Sequence, residues 1–478
     1  MKLLILGMSP QFLRPFVPAI QELARRGHLV TVAWTAESRG GESHLDELGA
    51  TPGVTCRLVP GRRSEHWEEV ALLRRSWNYL RYLEPPYRDA GKLRERAFMK
   101  AARLLFDRAT PIDAAWSETA LSLSDRERRR LRRLVELVEG VLPTDPMCDA
   151  ILDEEKPDAV LLTPLVDLNA SSQADFAQSA KRRGIPLGML VYSWDNLSTK
   201  GGLHVMPDRV FVWNPRQALE ARELHGIPRR HISVVGAPRF DAFLACERRC
   251  SQGQFTAALG LEKETPIVMY VCSSAFVSGH ELAFVRRWLA ALRTSGIPEL
   301  AGASVIVRPH PDIPLTAPDE PAEKVDLGEE HRATVWRPFD DPRAVVLGTP
   351  SRHPQSLFEC IAHSAVVVGL NTTAEIEAGL LGRPVLSVNA GGEADGQTGT
   401  LHYRYLLQED GGWVRFATDL PEHVRQLQAA MGASDDERRE IQRRARLFVR
   451  PRRVRKPVTP ILVDAIEREM GALSGRVS

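Results

Sequence analysis

Short apolar runs alternate with amphipathic segments from one end of the sequence to the other. An apolar run at residues 2–6 is followed by a turn at Gly7, an amphipathic segment at residues 15–26 and a second apolar run at residues 29–34. Strands that alternate with helices in this way are typical of parallel α/β sheets. Four later runs continue the series, at residues 159–163, 187–192, 209–213 and 232–235. We therefore predict a doubly wound, Rossmann-like domain over residues 1–240.

The alternation restarts in the second half of the chain. Apolar runs there cover residues 266–272, 304–307, 344–347, 365–370 and 384–388. They predict a second Rossmann-like domain over residues 241–455, and we expect a final helix, residues 456–478, to pack back on the N-terminal domain. Two doubly wound domains of this size usually hold a ligand between the carboxyl ends of their strands. The predicted fold class is thus α/β, with two doubly wound domains facing a central cleft.

A helical, arginine-rich insertion of about residues 64–140 interrupts the N-terminal series. Its last helix is predicted to begin with a capping box, Ser124 with Glu127, and to end at Gly140. Earlier in the insertion, aromatic residues are interleaved with arginines: Trp77, Tyr79, Tyr82 and Tyr87 with Arg74, Arg75, Arg81 and Arg88. Core packing explains these aromatics, and so does an interfacial surface for a lipid-linked or anionic acceptor. Both interpretations stay open at the level of sequence.

Composition narrows the function classes. The 478 residues suit two or three domains, and 63 basic residues nearly balance 61 acidic ones, which leaves a net charge of +2. A nucleic-acid-binding protein would usually carry a basic excess, so nucleic acid is not an expected partner. No apolar run approaches the roughly 18 residues that a membrane span needs. We expect a cytoplasmic protein, with peripheral contact at the inner face of the membrane as the alternative.

Cysteine spacing and glycine motifs exclude several kinds of site. The six cysteines include no Cys-x-x-Cys pair, and Cys246 with Cys250, two thiols without a nearby histidine, is a weak case for zinc. We therefore expect reduced cysteines, no metal site and no cofactor. The sequence also lacks the glycine patterns of P-loop NTPases, dinucleotide-binding dehydrogenases and α/β-hydrolases.

Two loops of the N-terminal domain follow strands and so are expected to face the ligand. In the first, Gly7 allows a close backbone approach before a helix, and Ser9 lies at the start of that helix. In the second, Asp167 follows a predicted strand. Asp167 is a reserve candidate for a general base, but a helix N-cap role explains it equally well.

Residues 193–202 form the most polar of the loops that follow strands in this domain. Asp195 could act as the general base for an acceptor hydroxyl, and Lys200 could neutralise a phosphate or a leaving group. Trp194 and Asn196 are further candidates for contact with the acceptor. The alternative is an Asx turn at Asp195-Asn196 with a surface lysine.

Two loops of the C-terminal domain carry candidates for binding a diphosphate. His310 lies between two prolines, which fix the backbone, and as a donor it would stabilise charge on a departing nucleotide. Arg308 directly precedes this segment. Ser273 and Ser274 follow another predicted strand and add hydroxyl groups.

The segment 371–385 combines a strand end with the start of a helix. Asn371, Thr372 and Thr373 open that helix, whose N-terminus is a ready anion site. Thr372 and Glu375 fit a capping box, which gives Glu375 a structural explanation. No capping rule accounts for Glu377, so it is the better ligand candidate, for instance to ribose hydroxyls.

These loops, in this order, resemble those of the GT-B glycosyltransferase superfamily and of the UDP-N-acetylglucosamine 2-epimerases that share its fold. Residues 234–243 resemble the interdomain segment of the epimerases, and residues 371–385 resemble their nucleotide-binding strand, loop and helix. By this resemblance Glu377 corresponds to the acid that contacts the ribose, and Thr372 and Thr373 to the hydroxyls at the helix start.

Two shorter segments extend the resemblance. Residues 308–311 are similar to the His-Pro loop that faces the diphosphate in epimerases and in CDP-glycerol glycerophosphotransferase-like proteins. Residues 193–200 resemble a segment of bacterial GT-B proteins from surface-polysaccharide loci. The epimerase Asp-Ser-Gly-Gly is here Asn371-Thr372-Thr373-Ala374, with one residue fewer before the acid. The loss of the aspartate and of both glycines argues against epimerisation.

The resemblance implies a glycosyltransferase of surface or capsular glycan biosynthesis. The candidate loops contain no Asp-x-Asp and no His/carboxylate cluster at metal spacing, so we expect it to be metal-independent. It would move a sugar from a nucleotide-sugar donor to a hydroxyl of a glycan or lipid-linked acceptor. Two alternatives remain: a CDP-glycerol glycerophosphotransferase-like enzyme, and a non-catalytic subunit that binds a nucleotide or glycan. The oligomeric state, the sugar and the acceptor are not predicted.

Overall fold

The computed structural model describes most of the chain. The described residues are 1–35, 43–61, 64–105, 122–262, 264–279, 281–310, 315, 327, 332–336, 354–394, 396–397 and 399–475. They form two compact units. Unit 1 comprises Met1–Arg239 with Val449–Ser478, and unit 2 comprises Phe240–Phe448.

Unit 1 is built on a parallel sheet of seven strands in the order β3-β2-β1-β4-β5-β6-β7. The strands are β1 (Lys2–Gly7), β2 (Leu29–Thr35), β3 (Val54–Val59), β4 (Ala159–Thr163), β5 (Leu187–Leu190), β6 (Arg209–Val212) and β7 (Ile232–Val234). The central strands are buried along their whole length because helices cover both faces of a parallel sheet. The edge strand β3 is only partly buried and has no continuous apolar run, which is why the sequence pattern missed it.

Among the described residues, ten helices of unit 1 precede unit 2 in the chain. They are α1 (Pro10–Leu13), α2 (Val17–Arg25), α3 (Ser43–Gly49), α4 (Trp67–Tyr82), α5 (Gly91–Leu105), α6 (Asp125–Val141), α7 (Pro146–Glu155), α8 (Gln173–Arg182), α9 (Asn196–Thr199) and α10 (Pro215–Glu223). The predicted capping box at the start of α6 is present, with Ser124 and Glu127 bonding each other's backbone N–H. The helix runs one residue past its predicted end at Gly140, to Val141.

Unit 2 is built on a parallel sheet of six strands in the order β10-β9-β8-β11-β12-β13. The strands are β8 (Ile267–Val271), β9 (Ser304–Arg308), β10 (Ala333–Val335), β11 (Val366–Gly369), β12 (Val385–Val388) and β13 (Val414–Ala417). The helices are α11 (Asp241–Leu244), α12 (Gln252–Leu259), α13 (Glu281–Arg293), α14 (Pro298–Ala301), α15 (Pro354–His363), α16 (Ala374–Leu380), α17 (Leu420–Met431) and α18 (Asp435–Val449). The two edge strands, β10 and β13, are short and were not predicted. The strand predicted at residues 344–347 lies outside the described residues.

The chain returns to unit 1 at Val449, before the predicted domain end at residue 455. The carbonyl of Val449 accepts the N–H of Ala237 at 2.8 Å. Gly236, with φ of +107°, allows this approach, because a Cβ there would lie 2.6 Å from Val458 Cγ2. The chain therefore changes unit where these two backbone segments meet.

The last helix, α19 (Thr459–Ser474), belongs to unit 1. Its apolar face lies in the same buried cluster as residues of β1 and α2, and Arg26, directly after α2, lies 2.7 Å from both Asp464 and Glu467. None of the described helices is both long and apolar enough to cross a bilayer.

Candidate functional site

Each sheet has a point where its strand order reverses. In unit 1 this switch point lies between β1 and β4, and in unit 2 it lies between β8 and β11. Connections leave the two strands in opposite directions there, so a crevice opens outside their carboxyl ends, where ligands of doubly wound sheets bind. The loops that carry the predicted site residues follow strands at or next to these points.

In unit 2, three loops after neighbouring strands are bonded to one another. Ser273 Oγ, after β8, donates to Leu370 O after β11 at 2.9 Å, and Cys272 N donates to Arg308 O at 2.9 Å. Ser273 N also donates to Glu281 Oε2 at 2.7 Å. Ser273 is 3% exposed, so this predicted nucleotide contact holds the loops together.

Glu281, which accepts from Ser273, is a buried acid that the sequence analysis missed. Its carboxylate also accepts the hydroxyl of Tyr270 at 2.8 Å. Burial raises the pKa of Glu281 to about 7, against the lowering effect of these hydrogen bonds. Its place ten residues past the end of β8 gave no signal in the sequence, because helix N-termini commonly carry acids.

Arg308 and His310 lie at the end of β9. The Arg308 guanidinium is buried and donates to Ser356 Oγ at 3.1 Å, so it is directed toward α15 rather than solvent. His310, two residues beyond, is partly exposed. Ser274 is also partly exposed, and its carbonyl accepts from Val277 N at 2.9 Å in a turn. His310 and Ser274 therefore remain accessible candidates at this edge of the sheet.

Asn371 shapes the loop after β11. Its φ of +68° is in the left-handed region, which asparagine tolerates better than most residues. The buried side-chain amide donates to Gln397 O at 3.2 Å and to Thr400 Oγ1 at 3.0 Å. Asn371 thus fixes the turn that presents the next two residues.

The capping box predicted for this loop is only half formed. Glu375 accepts the N–H of Thr372 at 2.9 Å, but α16 begins one residue later than the box requires, with Thr373 as N-cap and no side-chain cap bond. The prediction is wrong in that half, because Thr372 is not the N-cap residue. The wholly buried Glu375 carboxylate is also held by Tyr403 Oη at 3.2 Å. Burial raises the pKa of Glu375 to about 8.

Three positions of residues 371–380 are partly exposed: Thr372, Thr373 and Glu377. The rest of residues 371–380 is buried. The hydroxyls of the two threonines make no hydrogen bond with any other described residue. Glu377 lies one helical turn from Thr373, so the two share a face of α16. The segment therefore presents two uncommitted hydroxyls and one acid at the switch point of unit 2.

In unit 1, the loop after β1 is tightly packed. A Cβ at Gly7 would lie 2.6 Å from Leu13 Cγ, so glycine lets α1 fold closely against the strand. Ser9 is wholly buried, and its hydroxyl has no hydrogen-bond partner among the described residues. Ser9 therefore faces the interior, and its contact with an acceptor stays a prediction.

The loop of residues 193–202 brings an acid and a lysine together. Asp195 Oδ2 lies 3.1 Å from Lys200 Nζ and accepts Thr199 Oγ1 at 3.1 Å, and its side chain is 17% exposed. Asn196 Oδ1 accepts the N–H of Tyr192 at 2.8 Å and that of Ser193 at 2.9 Å, so Asn196 shapes the loop. Trp194 is buried. Asp195 and Lys200 are the members of this loop that remain partly open to solvent.

Asp167 is used within its own loop. Its Oδ2 accepts the N–H of Asn169 at 2.8 Å and that of Ser171 at 3.1 Å. The N-cap of the following helix, α8, is Ser172. Asp167 therefore stabilises the loop before α8 as an Asx turn. Its carboxylate is already hydrogen-bonded there, so it is less available to act as a general base.

Helix α4 of the insertion packs against the loop that holds Asp195. Asn78 Oδ1 accepts the N–H of Gly202 at 2.8 Å, and Tyr82 Oη accepts that of Gly201 at 3.0 Å. A Cβ at Gly202 would lie 1.9 Å from Trp77 Cζ3. These contacts were not predicted, although the Gly201-Gly202 pair signals a close approach.

The four aromatic residues interleaved with arginines in the insertion are buried. Trp77, Tyr79, Tyr82 and Tyr87 are each at most 4% exposed. Among the interleaved arginines, Arg74 and Arg81 are 1% exposed. Core packing is therefore the interpretation that holds for this stretch, rather than an exposed interfacial surface.

The sequence matches no protein-family model, and no curated protein is similar to it in sequence. Among solved structures, a UDP-N-acetylglucosamine 2-epimerase aligns with 98% of this chain and 96% of its own at 14% identity, with a TM-score of 0.52. S. aureus MnaA, solved with UDP, aligns with 98% of this chain and 96% of its own at 11% identity, with a TM-score of 0.50. A glycosyltransferase from Rickettsia africae ESF-5 aligns with 99% of this chain and 98% of its own at 9% identity, with a TM-score of 0.50.

These identities are low, so the similarity concerns the fold. The alignments span both units, and each unit is a parallel sheet in which the first strand lies at the centre and the order reverses beside it. The chain is a GT-B fold protein.

Proposed function

We propose that this protein is a glycosyltransferase that moves a sugar from a nucleotide-sugar donor to a hydroxyl acceptor. The observation that carries the proposal is the set of Thr372, Thr373 and Glu377, partly exposed at the switch point of unit 2. The threonine hydroxyls are not used to cap α16, and they bond no other described residue. Hydroxyls of this kind suit phosphate oxygens, and a carboxylate suits the hydroxyls of a ribose.

The donor class follows from the chemistry of these groups and from the fold. Two of the similar structures are named for UDP or a UDP-sugar, and a third is named a glycosyltransferase. In the proposal, Thr372 and Thr373 donate to the diphosphate, His310 adds a further donor, and Glu377 accepts from the ribose. Ser273, Arg308 and Asn371 act indirectly, because their side chains hold the surrounding loops.

Asp195 is the proposed base in unit 1. Its carboxylate takes the proton of the acceptor hydroxyl as that oxygen bonds to the anomeric carbon. The bond from the anomeric carbon to the nucleoside diphosphate breaks, and the diphosphate leaves with the electron pair. Lys200 Nζ lies 3.1 Å from Asp195 Oδ2 and pairs with the carboxylate before it takes the proton.

Turnover of a donor panel tests this proposal. We expect the wild type to release nucleoside diphosphate from at least one UDP-, GDP-, CDP- or TDP-sugar when a glycan or lipid-linked acceptor is added. Asp195→Asn should lower kcat about 100- to 10,000-fold with little change in the donor KM. Asp89→Asn, at an exposed position of the same unit, is the matched control and should keep full activity.

The other outcomes identify the alternatives. Turnover of CDP-glycerol together with no turnover of any nucleotide sugar would favour glycerophosphate transfer. Nucleotide binding with no turnover of any donor would favour a non-catalytic binding subunit. Full activity of Asp195→Asn would show that Asp195 is not the base.

A further inference from the structure

Three side chains with metal-binding atoms converge in unit 2, away from the switch point. Glu359 and His363 lie one turn apart on α15, and Cys250 lies in the segment between α11 and α12. His363 precedes β11 by three residues, so the group lies at the amino ends of the strands. The candidate nucleotide residues lie beyond the carboxyl ends, at the opposite edge of the same sheet.

The three atoms that face one another are Cys250 Sγ, Glu359 Oε2 and His363 Nε2. The distance from Sγ to Oε2 is 3.5 Å, from Sγ to Nε2 is 3.6 Å, and from Oε2 to Nε2 is 3.2 Å. The side chains of Glu359 and His363 are each 1% exposed, and Cys250 is partly exposed.

The imidazole of His363 is oriented as in a metal ligand. Gln252 Nε2 donates to the carbonyl of His363 at 3.4 Å, which places Gln252 Oε1 2.8 Å from His363 Nδ1. Nδ1 therefore carries the hydrogen and donates it to Oε1, so Nε2 presents its lone pair. An outer carbonyl that fixes the tautomer in this way is a regular feature of histidine ligands.

The carboxylate of Glu359 is oriented in the same manner. Its Oε1 accepts Gln355 Nε2 at 2.8 Å and the N–H of Arg249 at 2.7 Å. Its Oε2 is left to face Cys250 and His363. Two lone-pair atoms, Oε2 and Nε2, thus lie 3.2 Å apart, and the single thiol hydrogen can bond only one of them. A cation between the three atoms removes this conflict.

We propose that Cys250, Glu359 and His363 bind one divalent zinc-class cation. A tetrahedral zinc with a Zn–S distance of about 2.3 Å and Zn–N and Zn–O distances of about 2.0 Å separates N from O by about 3.3 Å and S from N or O by about 3.5 Å. The observed separations of 3.2, 3.6 and 3.5 Å agree with that geometry. A sulfur, nitrogen and oxygen set also favours zinc or cobalt over magnesium or calcium.

The proposed ion has a structural consequence. It joins the segment before α12 to the end of α15, two elements that are about 110 residues apart in the chain. Binding releases the thiol proton, since the thiolate is the ligand, so affinity should rise with pH. Three protein ligands leave a fourth position for water on the side where Cys250 is partly exposed.

Metal titration of the full chain tests the proposal. After treatment with a chelator, the wild type should bind one Zn²⁺ or Co²⁺ per chain, and the cobalt form should show a thiolate-to-metal charge-transfer absorption. Cys250→Ser should lose that absorption. Cys246→Ser is the matched control, because Cys246 is a partly buried thiol of the same segment that donates to Ala242 O at 3.3 Å, and it should keep the absorption.

A second variant separates ligand loss from misfolding. Gln252→Leu removes the partner of Nδ1 but no ligand, and it should weaken zinc binding about 10- to 100-fold. Absence of stoichiometric Zn²⁺ and Co²⁺ binding by the wild type would overturn the proposal. Unchanged cobalt absorption in Cys250→Ser would overturn it equally.

Discussion

The wholly buried carboxylate of Glu375 accepts the backbone N–H of Thr372 at 2.9 Å. Tyr403 Oη donates to the same carboxylate at 3.2 Å, and Trp413 Nε1 donates to the backbone carbonyl of Glu375 at 2.9 Å. Burial raises the pKa of Glu375 to about 8, although the bonds from Thr372 and Tyr403 act in the opposite direction. One buried acid therefore holds the loop that presents the candidate hydroxyls.

The raised pKa predicts that stability falls as pH rises. Glu375 ionises near its ordinary pKa of 4.5 in the unfolded chain and near 8 in the folded one. Between these values the folded chain keeps a proton that the unfolded chain releases, so the free energy of unfolding decreases by about 1.4 kcal/mol per pH unit from this group. Glu375→Gln is neutral at every pH and should flatten the decline in urea titrations followed by the fluorescence of Trp413 and the other tryptophans.

The matched control for this prediction is Glu299→Gln, an exposed acid of the same unit. It should keep the slope of the wild type. Glu281, whose pKa is raised to about 7, contributes with the same sign and is unchanged in both variants. Equal slopes for Glu375→Gln and the wild type would show that Glu375 is ionised in the folded chain.

The contact between α4 and the Asp195 loop predicts that Gly202→Ala lowers the free energy of unfolding. A Cβ there would lie 1.9 Å from Trp77 Cζ3, and the ring of Trp77 is 4% exposed and cannot move aside freely. Overpacking of this kind costs about 1–3 kcal/mol or more. Gly140→Ala in α6, where a new Cβ meets nothing within 4 Å, should instead stabilise by up to about 1 kcal/mol. Chemical denaturation of both variants checks the difference, and equal stabilities would contradict the packing.

A buried ion cluster between the insertion and α8 predicts that Arg74→Ala lowers the free energy of unfolding strongly. Arg74 is 1% exposed and lies 2.7 Å from both Glu139 and Asp175. Despite the cost of burial, His204 and Arg74 lower the pKa of Glu139 to about 2. Removing the guanidinium leaves two carboxylates near each other without their cation, which should cost about 3–5 kcal/mol.

The control for Arg74 is an exposed ion pair. Arg439 of α18 lies 2.6 Å from Asp436, and both side chains are mostly solvated. Arg439→Ala should change the free energy of unfolding by less than about 1 kcal/mol. A similar small change for Arg74→Ala in urea titrations would mean that water screens the Arg74 cluster.

Apolar patterns predicted the buried strands, because both faces of a parallel sheet are covered and its strands are continuously apolar. This holds for β1, β4, β8 and β11. The edge strands β3, β10 and β13 escaped prediction because they are partly exposed, so their residues need not be apolar. Their place in the fold depends on pairing with a neighbouring strand, which local sequence does not encode.

The site was harder to predict than the fold. Loop position selected Thr372, Thr373 and Glu377, which are partly exposed, and also Ser273, Asn371 and Asn196, whose side chains hold their own loops. Polar residues that follow a strand either contact a ligand or stabilise their own loop, and only their hydrogen-bonding partners distinguish the two roles. The convergence of Cys250 with Glu359 and His363 was hidden for a related reason, since Cys250 and His363 are 113 residues apart.

Calorimetric titration with nucleoside diphosphates tests the central claim most directly. The wild type should bind at least one of UDP, GDP, CDP and TDP, and Glu377→Gln and the double variant Thr372→Val with Thr373→Val should each weaken that binding about 10- to 100-fold. The exposed controls Glu299→Gln and Thr294→Val should bind as the wild type does. Failure of the wild type to bind any of the four, or unchanged affinity in both site variants, would contradict the assignment of this loop to a nucleotide-sugar donor.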